Sequence, residues 1–252
     1  MTDTLTELGG NVVRKFDLTH PGRHLFANGP FTYYLLVTRA REEIRVPDLQ
    51  AFSVFILSKA DATRIRVNET SQELGVGDAI QVESAAVTVV VDGDARILVA
   101  GTRQASGRDA GVTVTAAPKV YRVIKPWGHE LWINGQHPTY ALKEIFIKHG
   151  TKTSLQYHRQ KSETNVLFVG DARLHYKKDG HVPNDEVGVT HLGSIDLQCV
   201  STVDVTPHIL HRLEALTDVL FYEASTPHLD DVVRVQDDSA RGDGRISSEH
   251  TS

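Results

Sequence analysis

Short runs of β-branched and aromatic residues, separated by glycine, asparagine and aspartate, recur along almost the whole chain. FTYYLLVTRA (31–40), SVFILSKA (53–60), ATRIRVNE (62–69), AIQVES (79–84), VTVVVDG (87–93) and ARILVAG (95–101) form a first block. YALKEIFIKHG (140–150), TNVLFVGDARLHYKK (164–178), VSTVDVTPHIL (200–210) and DVLFYEAS (218–225) form a second. Half-buried strands of antiparallel sheets carry this pattern, and no stretch of comparable quality sustains helical periodicity. The expectation is an all-β chain with two β-rich blocks. GTRQASGRDAGVTVTAAPKV (101–120), made of small and polar residues, reads as the linker between them, and DDSARGDGRISSEHTS (237–252) as a loose tail.

Composition narrows the classes of function. With 27 Lys and Arg against 32 Asp and Glu in 252 residues, the net charge of −5 gives no basic field for nucleic acid or anionic lipid. No apolar run reaches the roughly 18 residues of a membrane span, so neither nucleic acid nor membrane is expected as a partner. Cys199 is the only cysteine, which excludes an intrachain disulfide. The opening MTDTLTELGG lacks the basic and apolar regions of a signal peptide, and a cytoplasmic location is expected.

The stretch SLQYHRQKSETNVLFVG (154–170) carries the candidate chemistry. On an extended strand Gln156 and His158 project to the same face. Glu163 has the wrong parity for a straight continuation, but a polar turn over Arg159–Ser162 would return it on an adjacent strand. His211 follows Pro207, where a strand must bend or end. His158 or Glu163 alone would be an ordinary buried imidazole or a solvated charge. Together, two imidazoles, a carboxylate and an amide oxygen form a set of N and O donors suited to one divalent ion, Zn, Mn, Fe, Co or Ni. His208 is a competing, lower-ranked ligand, and the remaining histidines, His137 and His191 among them, are expected at the surface.

The spacing Gly150, five residues, Gln156, Tyr157, His158, four residues, Glu163, six residues, Gly170 resembles the first motif of the cupins, with Gln in place of the commoner first His. KPWGHELW (125–132), YALKEIFIKHG (140–150), HRLE (211–214) and DDVVRVQDD (230–238) extend the resemblance to the cupin domain of type II phosphomannose isomerases, over about half of the chain. LGVGDAIQVES (74–84) looks like the middle of a second, degenerate cupin. The resemblance implies a bicupin: two cupin-like antiparallel β-barrels (jelly rolls) in tandem, a degenerate one without a metal site at 1–110 and a metal-binding one at 118–238, followed by a flexible tail at 239–252.

The resemblance further implies Gln156, His158, Glu163 and His211 as metal ligands. Lys143, Lys161 and Arg212 would be catalytic or substrate-binding charges, with Lys125 and Arg159 nearby. It implies an aldose–ketose isomerisation through an enediolate, on a sugar or sugar phosphate as small-molecule substrate, in a homodimer. The chain departs from the family pattern at Arg159, Gln160 and Lys161, where a run of histidines followed by Arg is usual, at Asn165, where tryptophan is usual, and in the spacing of Pro207 to His211. The substrate pocket is therefore altered, the base is not identified, and an Fe or Mn oxygenase or lyase, or a sugar-binding cupin without turnover, stay open as alternatives.

Overall fold

The structure, a computed structural model, describes residues 5–46, 48–68, 73–178 and 192–250. Its strands, in chain order, begin with β1 (Leu5–Leu8) and β2 (Asn11–Lys15). Then come β3 (Gly22–Asn28), β4 (Thr32–Thr38), β5 (Arg41–Ile44), β6 (Ala51–Lys59), β7 (Arg64–Val67), β8 (Ala79–Glu83), β9 (Val89–Asp92), β10 (Ala95–Thr102) and β11 (Gly111–Thr115). The remainder are β12 (Tyr121–Lys125), β13 (Gly128–Trp132), β14 (Ala141–Ile147), β15 (Leu155–Tyr157), β16 (Glu163–Val169), β17 (Asp171–Lys177), β18 (Leu192–Gln198), β19 (Ser201–Val205), β20 (His211–Ala215), β21 (Val219–Ser225) and β22 (Val233–Gln236). Among the described residues the only helical turns are 3₁₀, at Ala117–Lys119 and Ser247–His250, and no helix is long and apolar enough to cross a membrane.

The chain divides into two compact units. One comprises residues 18–121 and 132–142 and is built on a six-stranded sheet, β11-β8-β6-β10-β4-β3, and a three-stranded sheet, β5-β9-β7. Inward-facing Phe52, Val54 and Ile56 of β6, Ile97 and Val99 of β10, and Val89 and Val91 of β9 fill its core. His137 is not at the surface as expected: it is buried, with Nε2 2.6 Å from a Glu83 carboxylate oxygen, an acceptor that removes the penalty for burying an imidazole N–H. His191 lies outside the described residues.

The other unit comprises residues 1–17, 122–131 and 143–252 and pairs an eight-stranded sheet, β1-β2-β19-β16-β21-β14-β13-β12, with a five-stranded one, β18-β17-β20-β15-β22. Ile145, Ile147, Leu167, Leu174, Val203, Val205, Leu213 and Phe221 form its apolar floor.

Besides residues 132–142, which cluster with the first block and not with 118–238, three stretches sit otherwise than expected. Residues 1–17 do not belong with the first block: β2 pairs antiparallel with β19, Val13 opposite Val203, and Arg14 meets Asp204 at 2.7 Å. This covers what would otherwise be an open edge beside β19. The segment 101–120 is not all linker, because β11 pairs with β8 as an edge strand, exposed over most of its length but with Val114 packed against the core. The tail is not loose over its described residues: Arg241 binds the Asp237 carboxylate at 2.6 Å and Glu249 at 3.3 Å.

Gly170 separates β16 from β17 at φ +82°, and a Cβ there would lie 2.3 Å from the Asp218 carbonyl oxygen. Both the left-handed backbone and the close approach require glycine. Gly170→Ala is expected to lower stability by about 1–3 kcal/mol, read as a drop in the urea midpoint with an unchanged slope.

Candidate metal centre

The inner face of the eight-stranded sheet changes character along its length. On β16, Leu167 joins the apolar floor while Glu163 and Asn165, on the same face, are buried polar residues. On β21, Phe221 is in the floor, and Glu223 and Ser225 continue the face as buried polar residues. On β14, Ile145 and Ile147 lie in the floor and Lys143 stands at the polar end. A barrel interior closed by carbon at one end and lined with charge at the other is a place for chemistry, because buried charge is retained only where it is paired or used.

Gln156 lies on β15 in the five-stranded sheet, directly opposite His211 on β20. Glu163 does not return on a strand hydrogen-bonded to β15; β16 lies in the eight-stranded sheet, so the turn after His158 carries the chain from one sheet to the other. In a jelly roll, consecutive strands exchange sheets where a hairpin would keep them side by side. The crossing is fixed by Asp231, whose carboxylate accepts the backbone N–H groups of Arg159 at 3.0 Å, Gln160 at 2.5 Å and Lys161 at 2.9 Å. Burial opposes ionisation of Asp231, but these three donors hold its carboxyl below the usual range.

His158, Glu163 and His211 come together, each buried, with one ligand atom from each within 4.8 Å of the others. His158 Nδ1–H donates to the Asp231 carbonyl, and His211 Nδ1–H to the Ile209 carbonyl at 3.1 Å. These bonds assign the tautomers and turn both Nε2 lone pairs toward Glu163. His211 Nε2 is 3.2 Å from one Glu163 oxygen and His158 Nε2 is 3.5 Å from the other. His158 Nε2 is fully buried and has no hydrogen-bond partner. Donors about 2.1 Å from a shared ion stand roughly 3.0–3.5 Å apart, so the orphaned nitrogen and the two separations fit a divalent cation with N and O ligands. Gln156 accepts a hydrogen bond from Ser154 Oγ at 2.5 Å through its side-chain oxygen. His208 is not in the cluster; it serves the backbone, its N–H donating to the His158 carbonyl at 2.7 Å.

Lys161 is also brought here, but its ammonium is engaged: it donates to Glu163 and lies 2.8 Å from Glu223. Burial disfavours the Lys161 charge, and the two carboxylates outweigh it and raise the pKa. Burial likewise opposes the Glu163 charge, yet the Lys161 ammonium holds that carboxyl well below the ordinary range. His158 is kept neutral mainly by burial, against the pull of Glu163, which leaves its lone pair free for a cation.

Arg212 is a correction. Its guanidinium is directed to the Thr153 carbonyl at 2.7 Å, the Gln236 carbonyl at 3.2 Å and Asp238 at 3.0 Å, because strand alternation turns it away from the face carrying His211. It clamps the loop before β15 to the segment around Gln236. Lys143 is buried 3.8 Å from Glu130. Sequence reasoning gave no role to Asp231 or Glu223, and it marked Asn165, whose amide donates to Glu163 at 3.0 Å, only as a departure from the family pattern. For Glu223 a signal existed: in VLFYEAS it occupies the alternation of Val219 and Phe221, an acid at a core position.

Removing Lys161 leaves Glu163 and Glu223 buried without their shared cation. Lys161→Met is expected to destabilise the metal-free protein by about 3–5 kcal/mol at pH 7. The depressed Glu163 pKa makes the ion pair's contribution present above the ordinary carboxylate range and lost as pH falls through the depressed value; in the variant, Glu163 protonates at a higher pH and relieves its penalty. Chemical denaturation of both proteins from pH 7 to pH 4.5 should show the gap narrowing as pH falls.

No family model and no curated protein sequence matches the chain. Solved structures do. The protein Ylba from E. coli aligns over 88% of this chain and 93% of its own at TM-score 0.65 and 9% identity. An IolB-like protein from Salmonella typhimurium LT2 gives the same coverages and TM-score at 12% identity. The oxalate decarboxylase of Lactobacillus farciminis, in a formate complex, aligns over 89% of this chain and 83% of its own at TM-score 0.54 and 10% identity. At such identities the likeness is one of fold: these are cupin-type structures, and this chain has the cupin-type all-β fold.

Proposed function

We propose that His158, Glu163 and His211, with Gln156, hold one divalent metal ion, and that the protein is a metal-dependent sugar or sugar-phosphate isomerase. The observation that carries the metal site is the buried, unpartnered His158 Nε2 facing Glu163 beside a second Nε2. Bound there, the ion would supply Lewis-acid polarisation of a substrate carbonyl. With one carboxylate among the donors, the site keeps positive charge for that task.

The residues around it support the substrate class. Glu223, Asn165, Ser225, Lys143 and Glu130 give the polar end of the barrel alternating charge and hydrogen-bonding capacity, which suits a polyhydroxylated, anionic molecule better than an apolar one. Glu223 is assigned as the base that moves the proton between the two carbons: it is buried, accepts from Ser225 Oγ at 2.9 Å, and is bound to Lys161, which can hold its charge between transfers. Asn165 fixes the orientation of Glu163. Lys143 is assigned to a substrate oxygen or anionic group. The fold shared with oxalate decarboxylases makes lyase chemistry on a small carboxylate the second reading.

Two outcomes follow. Metal analysis of the purified full-length protein is expected to give one ion per chain, and none in the variant carrying His158→Ala and His211→Ala; unchanged content in that variant contradicts the ligand assignment. In D₂O, the metal-loaded protein should exchange the proton next to the carbonyl of one member of a panel of hexose, pentose and heptose phosphates, followed by NMR. Glu223→Gln should slow this exchange by about 10²–10⁴-fold while retaining the metal. Absence of exchange across the panel, with oxygen uptake or carboxylate cleavage instead, would replace the isomerase reading.

A further inference from the structure

A second group of charges lies on the same sheet, at the strands farthest from β16 on that side. Lys143 on β14 and Lys125 on β12 both flank Glu130 on β13, at 3.8 Å and 3.9 Å. Lys125 finds its closest acid in the C-terminal segment: Glu249 Oε2 is 2.9 Å from its ammonium. The other oxygen of the same carboxylate is 3.3 Å from the Arg241 guanidinium, which Asp237 holds in place at 2.6 Å. The side chains of Lys125, Glu249 and Arg241 are only 9%, 10% and 9% exposed.

Glu249 thus occupies a built anion site, with two nearly buried cations converging on one carboxylate. The 3₁₀ turn that delivers it, Ser247–His250, has no buried residues, so apolar burial contributes little to keeping it there. An occupant held chiefly by charge is exchangeable for an anion of equal or higher charge. Without Glu249 the group has four cations, Lys125, Lys143, Arg234 and Arg241, against three carboxylates, Glu130, Asp237 and Asp243. That excess suits a phosphate group, to which a guanidinium and an ammonium both donate well.

We propose that Lys125 and Arg241 form a phosphate subsite and that Glu249 is its intrachain occupant, displaced when a phosphorylated substrate binds. Assigning that phosphate to the substrate rests on the isomerase reading. β16 and β12 are four strand steps apart in one sheet, which at a strand spacing of about 4.8 Å sets their separation at no more than roughly 19 Å. A tethered carboxylate competes at an effective concentration on the order of millimolar, and so weakens binding of a free anion without a contact to it.

The test is calorimetric titration of metal-free full-length protein with inorganic phosphate. Glu249→Gln is expected to bind phosphate at least tenfold more tightly than the wild type, and removal of residues 247–252 should give the same gain. Adding Lys125→Met to Glu249→Gln should abolish it. Equal affinity of wild type and both tail variants, or a gain that survives loss of Lys125, overturns the proposal. The assay needs neither metal nor turnover. Failed proton exchange with this phosphate response intact would sink the isomerase reading alone, whereas sugar-phosphate isomerisation with a flat phosphate response would sink the subsite alone.

Discussion

The Glu163 carboxylate is the point on which the polar end of the second barrel depends. It is nearly inaccessible to water, and a lone charge there would cost several kcal/mol. It persists ionised because the Lys161 ammonium and the Asn165 amide donate to it, while the Nε2 atoms of His158 and His211 lie beside it as bare lone pairs. Each of these is fixed in turn: His158 by the Asp231 carbonyl, His211 by the Ile209 carbonyl, Lys161 by Glu223. A centre so constrained has its donors arranged before any ligand arrives, which is the condition for tight and selective binding.

The architecture supplies the convergence. Gln156 and His211 belong to one sheet and Glu163 to the other, so the site exists only because the two sheets face each other across a filled apolar floor. Asp231 joins the two levels of organisation. Through its carboxylate it shapes the crossing between sheets, and through its carbonyl it sets the tautomer of His158. The corresponding strand positions of the first barrel carry an apolar interior, with Phe52, Val54 and Ile56 along β6 where β16 carries Glu163, Asn165 and Leu167. The first unit fills that face with hydrocarbon, whereas the second keeps buried charge on it.

Much of this was legible in the sequence. Period-two alternation marked the longer strands, and of the residues that the spacing picked out, His158, Glu163 and His211 come together in the fold. What stayed hidden has physical causes. The pairing of β2 with β19 is non-local, and a five-residue strand carries little pattern of its own. Arg212 was misread because its neighbour in sequence points to the opposite face. The role of Asp231 comes from contacts 70 to 73 residues away in sequence and that of Glu249 in part from Lys125, 124 residues away, and polar residues at such positions read locally as solvent-exposed.

The central claim is that Glu163 and the two Nε2 atoms are donors to one ion. X-ray absorption at the zinc edge of full-length protein loaded with one equivalent of Zn(II) tests it most directly. The account predicts a first shell of N and O donors only, near 2.0–2.2 Å, with the outer-shell scattering of two imidazoles, reduced to one in His211→Ala. A sulfur-containing shell, a shell of water oxygens without imidazole, or a spectrum unchanged in His211→Ala would contradict it.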